Sequence, residues 1–182
     1  NGIKAAMEKT GISNVRAADA EKRSQGFLAD AVNVLSQRFQ DSKISDVTTF
    51  GQKGEQFNLV GYSYGAVISA QIAIDYANKG GRVDNLALIG SPISQEFLSQ
   101  LQSHPNIHSV HVMDLTEKGD DIKAGMSTTD LLSSVPGLAV DFAKGEILGK
   151  KEGHFYYSPD EEPLAPERHQ ELADKLFDLG LR

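Results

Sequence analysis

Ser63 stands in the run Gly61-Tyr62-Ser63-Tyr64-Gly65, with a glycine two residues to either side of its hydroxyl. Glycines so placed let a strand turn sharply into a helix and hold a serine on strained backbone at the turn. The short run Phe57 to Val60 leads into this turn as a strand, and Ala66 to Asn78 reads as a helix after it. A five-residue pattern also arises by chance, around an inert serine in a Gly-rich loop. The strand before it and the helix after it favour a nucleophile. The helix N-terminus adds N–H groups and a positive dipole end that stabilise negative charge forming near Ser63. The backbone N–H of Tyr64, next after the nucleophile, is the first expected oxyanion donor.

A serine hydroxyl is a weak nucleophile, so a histidine must take its proton and a carboxylate must orient that histidine. Five histidines follow Ser63. His104 and His108 flank a predicted turn, His111 lies within a predicted strand as a structural histidine, and His169 falls on the polar part of the last helix. His154 stands in the loop Glu152-Gly153-His154-Phe155-Tyr156-Tyr157 shortly before that helix, where a loop-borne base belongs. The acid should lie at or just beyond the preceding strand, where Asp114, Asp120 and Asp121 all qualify. Asp120, after Gly119 in a turn, is the favoured one, because a carboxylate there can reach another loop. Any of the three also suits the ordinary turn or capping role of aspartate.

The elements that must position these groups follow from periodicity. Phe27, Leu28, Ala31, Val32, Leu35 and Phe39 mark one stripe of a helix of about three to four turns. Gly80-Gly81 stops the helix after Ser63. Leu86 to Ile89 is a short apolar run suited to a strand buried on both faces, Ser94 to Gln102 is helical, and Val110 to Met113 is a further strand. Pro166 opens a last helix striped by Leu172, Leu176 and Phe177. Strands alternating with helices predict a three-layer α/β fold with a mostly parallel sheet, read as one domain over 1–182. Lys123 to Lys150 interrupts the rhythm, as a lid or pocket wall or as ordinary connecting helices.

Composition narrows the partners. The 182 residues are 40% apolar and 24% charged, as in ordinary globular proteins. A net charge of -7, spread without Lys/Arg clusters, argues against nucleic acid. No run reaches the roughly 18 apolar residues of a membrane span. Cysteine is absent, which removes thiol nucleophiles, disulfides and thiolate metal sites, and fits a cytoplasmic protein as well as a bacterial secreted one. No metal or cofactor is called for.

The elbow, with Gly119-Asp120 and Gly153-His154-Phe155-Tyr156-Tyr157, resembles the α/β-hydrolase superfamily in its lipase and esterase branches, from about Gly2 to the end. The resemblance implies Ser63, Asp120 and His154 as a catalytic triad, and acyl transfer through an acyl-enzyme that water hydrolyses. It implies a second oxyanion donor from a loop ahead of the elbow. Gly2 and Ile3, followed by a helix-like Lys4 to Lys9, are the residues available, although Gly2 reads equally as a flexible terminal residue. The chain departs from the family in its N-terminal strands, which are missing, and it begins at Asn1. Both features suggest a processed product or a fragment.

Tyr62 and Tyr64, Met126 within the apolar Met126 to Phe142 segment, and Phe155 beside the histidine would line a pocket for an apolar acyl group; core packing is their plainer role. The substrate expected is thus a small carboxylic or lipid ester. A bacterial lipase-type toxin, secreted or delivered and met by an immunity or partner protein, is a specific version. The competing readings are an acyltransferase with the same triad and a non-catalytic binding domain. The latter would pair an open sheet edge with another polypeptide, such as the upstream peptide of the same precursor.

Overall fold

The computed structural model describes residues 2–17, 54–127, 129, 130, 133, 153–157 and 163–182. The expected helix around Phe27 to Phe39 lies outside these residues, as does most of the Lys123 to Lys150 segment. In chain order the elements are α1 (Gly2–Thr10), β1 (Asn58–Tyr62), α2 (Tyr64–Asn78), β2 (Val83–Ile89), α3 (Gln95–Ser103), β3 (Ile107–Met113) and α4 (Ala165–Asp178). Short 3-10 turns occupy Thr116–Lys118 and Gly153–Phe155.

The described strands form a parallel sheet in the order β1-β2-β3, with Gly61 opposite Leu88 and Ala87 opposite His111. Helices α2 and α3 supply the crossovers that parallel neighbours require. The central strand explains the layering, because its side chains alternate between two apolar faces. Leu86 and Leu88 join Ala66, Ala70, Ala73 and Ala77 of α2 and Leu98 and Leu101 of α3 in one core. Ala87 and Ile89 face the other way, into a core shared with Ala6 and Met7 of α1 and Leu172, Ala173 and Leu176 of α4. The result is a three-layer α/β fold. Alanines on the buried side of α2 let it lie close to the sheet. Fully buried leucines such as Leu172 and Leu176 each contribute about 1.5–3 kcal/mol and hold α4 on the opposite face.

Local signals set the ends of the elements. Ser94 caps α3, its Oγ accepting from the Phe97 N–H at 3.3 Å, with Glu96 in the first turn. Pro166 lies in the first turn of α4, where a missing N–H costs nothing. Strands β2 and β3 each begin three residues ahead of the apolar runs read from sequence. A polar ladder crosses the α1/α4 face: the His111 ring Nε2 lies 3.1 Å from Asn85 Oδ1, and Asn85, in the early part of β2, donates to Asn58 Oδ1 at 2.8 Å. Burial lowers the pKa of His111, which favours the neutral ring within this ladder.

Candidate active site

The site gathers at the C-terminal ends of the parallel strands, where α/β sheets carry their ligands. Strand β1 ends at Tyr62 and α2 starts at Tyr64, so Ser63 alone makes the turn. Its backbone sits at φ 54°, ψ -126°, a conformation outside the ordinary left-handed well that costs a non-glycine residue of order 1–3 kcal/mol. The Ser63 N–H donates to the Ile89 carbonyl at 2.8 Å, and the Ala66 N–H donates to the Ser63 carbonyl at 2.9 Å, so both sides of the strained residue are tied down. The two glycines of the motif differ in their reasons. A methyl on Gly61 would meet the Ala66 Cα and the Gly65 carbonyl oxygen at 2.4 Å, whereas one on Gly65 would meet nothing within 4 Å.

The Ser63 hydroxyl lies 2.5 Å from His154 Nε2, and His154 Nδ1 lies 2.8 Å from Asp120 Oδ2. A carboxylate only accepts, so Asp120 places the imidazole proton on Nδ1 and leaves Nε2 to accept from Ser63. The other oxygen, Oδ1, accepts from the Ile122 N–H at 2.9 Å, which fixes the carboxylate plane. Of the three aspartates considered, the structure brings Asp120 to the histidine. Asp114 Oδ1 accepts from the Ala124 N–H at 2.9 Å, and Asp121 is exposed.

Glycines make room for this meeting. Gly90, at φ +50° just after β2, would as alanine place its methyl 3.2 Å from Leu115 Cδ1, 3.4 Å from Asp120 Oδ2 and 3.6 Å from His154 Cε1. Gly153, at φ +65°, lies against the Gly119 carbonyl, 3.1 Å from where its own Cβ would be. The loops bearing acid and base are thereby pressed together.

Helix α4 holds the histidine loop from the other side. Arg168 donates to the Tyr156 carbonyl at 3.3 Å, and the His169 ring Nε2 lies 3.1 Å from the Tyr157 carbonyl. Glu171 accepts from the Tyr156 hydroxyl at 3.2 Å, the Tyr157 hydroxyl at 3.1 Å and the Lys175 ammonium at 2.7 Å. The Tyr156 ring lies beneath two cations, with Lys118 Nζ at 4.2 Å and Arg168 Cζ at 4.3 Å from its centroid. Burial raises the pKa of Glu171, but hydrogen bonds and charge from Lys175, Tyr157 and Lys118 outweigh it, and the carboxyl titrates below its ordinary value. The Glu171 hydrogen bond raises Lys175, and burial raises Tyr157. Sequence pattern puts His169 on the polar part of the last helix; it is instead 3% exposed. The buried set Ala165, His169, Leu172, Ala173 and Leu176 has the spacing of one helical stripe.

Tyr62, expected in a substrate pocket, donates its hydroxyl to the His154 backbone carbonyl, and its ring lies 18° from parallel to the imidazole at 6.0 Å. Met126 pairs with Ser94 in an isolated bridge, and its Sδ accepts from the Lys123 N–H at 3.4 Å. Phe155 ends the 3-10 turn that carries His154. Tyr64 heads α2, and Gly2 and Ile3 open α1, with Ile3 packed on the same core as Tyr62. His104 closes α3 and His108 is an exposed residue near the start of β3, so the two flank the turn at Pro105-Asn106 as expected. Among the described residues no three His, Asp or Glu side chains stand together as a metal site, and no helix is long and apolar enough to cross a membrane.

A family model described as alpha/beta hydrolase matches residues 29–128. The chain belongs to this family. No curated protein and no solved structure matches it. The match to the alpha/beta hydrolase model takes in the elbow and Asp120, while His154 lies beyond it. His154 is brought to Ser63 by its loop, which α4 holds at Tyr156 and Tyr157.

Proposed function

We propose that this alpha/beta hydrolase is a serine ester hydrolase, with Ser63 as nucleophile, His154 as general base and then acid, and Asp120 orienting His154. The continuous relay from Ser63 Oγ through both ring nitrogens to the buried carboxylate carries the reading. His154 Nε2 takes the hydroxyl proton as Oγ bonds to the carbonyl carbon of the ester. The carbonyl π electrons move to oxygen, and the oxyanion is received by the Tyr64 N–H at the head of α2 and by a second donor from the Gly2-Ile3 start of α1. As the tetrahedral species collapses, the ester C–O bond breaks and the His154 proton passes to the leaving alkoxide. Water then attacks the acyl-enzyme by the same route, giving the carboxylic acid and restoring Ser63. The imidazolium that forms twice in this cycle faces the Asp120 carboxylate in a dry site, where a charge-assisted bond is stronger than in water.

The substrate class proposed is a carboxylic or lipid ester, taken by a single domain without a cofactor. Support for the lipid version comes from the apolar composition of the Met126 to Phe142 segment beyond the acid. A panel of p-nitrophenyl esters of increasing chain length beside phosphatidylcholine and phosphatidylglycerol vesicles tests it. Release of acid from any of these by wild-type protein, lost in Ser63→Ala, is expected. Intact substrate throughout, with folded protein, would contradict the proposal.

A further inference from the structure

We infer that Tyr62 is a positioning residue for this reaction, its hydroxyl fixing the His154 main chain so that the imidazole meets Ser63. The inference rests on the proposed roles of Ser63 and His154. Sequence reading leaves Tyr62 either against an acyl group, with its polar end facing substrate, or in core packing. The structure commits that hydroxyl to the carbonyl of the very residue that must accept the serine proton.

The geometry closes a small ring. Tyr62 and Ser63 are adjacent in the chain, the Tyr62 hydroxyl holds the His154 carbonyl, and the His154 ring returns to the Ser63 hydroxyl at 2.5 Å. Both ends of the nucleophile-to-base contact are thus referred to the last residue of β1, a strand paired along its length with the central strand. A base on a loop loses reactivity quickly when it drifts, since displacement of about 1 Å costs on the order of a hundredfold. Helix α4 secures the next part of the loop through the Tyr156 and Tyr157 carbonyls. Among the described contacts, the hydroxyl of Tyr62 ties the histidine residue to the same strand as its target.

Two further features suit the role. Burial, and then the nearby Asp120 carboxylate, push the Tyr62 pKa well above its ordinary value, so the hydroxyl keeps its proton and remains a donor wherever the enzyme works. The ring lies nearly parallel to the imidazole, with centroids 6.0 Å apart. Tyr62→Phe keeps the ring and removes the hydroxyl's bonds to the His154 carbonyl and to the Tyr157 main chain.

Saturation kinetics of a fluorophosphonate probe on the whole chain separate the readings. Wild type, Tyr62→Phe and Ser63→Ala are compared, and the downfield ¹H resonance of the His154 Nδ1 proton is recorded for each. A positioning role predicts that Tyr62→Phe lowers the maximal labelling rate by about tenfold or more, leaves half-saturation within about twofold, and broadens the downfield proton. Weakened half-saturation at an unchanged maximal rate would assign Tyr62 to the pocket and overturn the inference, as would unchanged labelling with only a lower melting temperature. Absence of labelling in wild type would remove the proposed hydrolase reading itself, and this inference with it. Should Tyr62→Phe not fold, wild-type protein decides. A slowly exchanging Tyr62 hydroxyl proton with an NOE to His154 supports the tether, and free exchange overturns it.

Discussion

His154 Nδ1 and Asp120 Oδ2 lie 2.8 Å apart, with only 2% of either side chain exposed. Replacing the carboxylate by an amide keeps the shape and reverses the proton. The amide nitrogen that Asp120→Asn brings to Nδ1 favours the tautomer with hydrogen on Nε2, which cannot accept from Ser63. Asp120→Asn is therefore expected to lower kcat by about 10³- to 10⁴-fold, while Asp114→Asn and Asp121→Asn stay within about threefold. Ester hydrolysis by the three variants checks this, with circular dichroism to show that each is folded.

The elbow predicts unequal glycines. Gly61→Ala forces a methyl to within 2.4 Å of α2 backbone that cannot retreat without moving the strand, and should cost about 3 kcal/mol or more. Gly65→Ala meets nothing within 4 Å at the second position of α2, and should be neutral or stabilising by up to about 1 kcal/mol. Urea denaturation of both variants measures the difference.

Much of this was legible in the sequence for definite reasons. The chain announces β1, the turn and α2 because apolar run, glycine pair and helical spacing follow one another within Phe57 to Asn78. The early half of β2 was hidden because Asn85 is polar yet faces inward, satisfied by His111 and Asn58, and that of β3 because His108 and Ser109 are polar. The burial of His169 was readable from its place in the Ala165 to Leu176 stripe, but a histidine there suggests a polar face until its carbonyl partner is known. The contact between Asp120 and His154 joins residues 34 apart through a segment without strong periodicity, so sequence could only rank the aspartates. The tie between Tyr62 and the His154 carbonyl involves a backbone group and leaves no mark in side-chain pattern.

The α4 clamp predicts a pH dependence. Glu171 titrates below its ordinary value of 4.5 in the folded chain, so it binds protons less readily there than when unfolded. Its contribution to stability is then full above about pH 4.5 and is lost as pH falls through the lower folded value. The side chain is 34% exposed, and the contribution should stay under about 1 kcal/mol. The melting temperature of wild type should exceed that of Glu171→Gln at about pH 6–7, and the gap should close as pH falls below the ordinary value of 4.5 and through the lower folded value. A gap that widens on acidification would contradict the clamp.

The central claim is that Ser63 is an activated nucleophile with His154 as its base. Covalent labelling by a fluorophosphonate, measured on wild type, Ser63→Ala and His154→Ala, tests it most directly. Stoichiometric labelling of wild type that is lost in Ser63→Ala and reduced by about a thousandfold or more in His154→Ala is the predicted result. Folded wild-type protein that takes no label, or label that persists in Ser63→Ala, would contradict it.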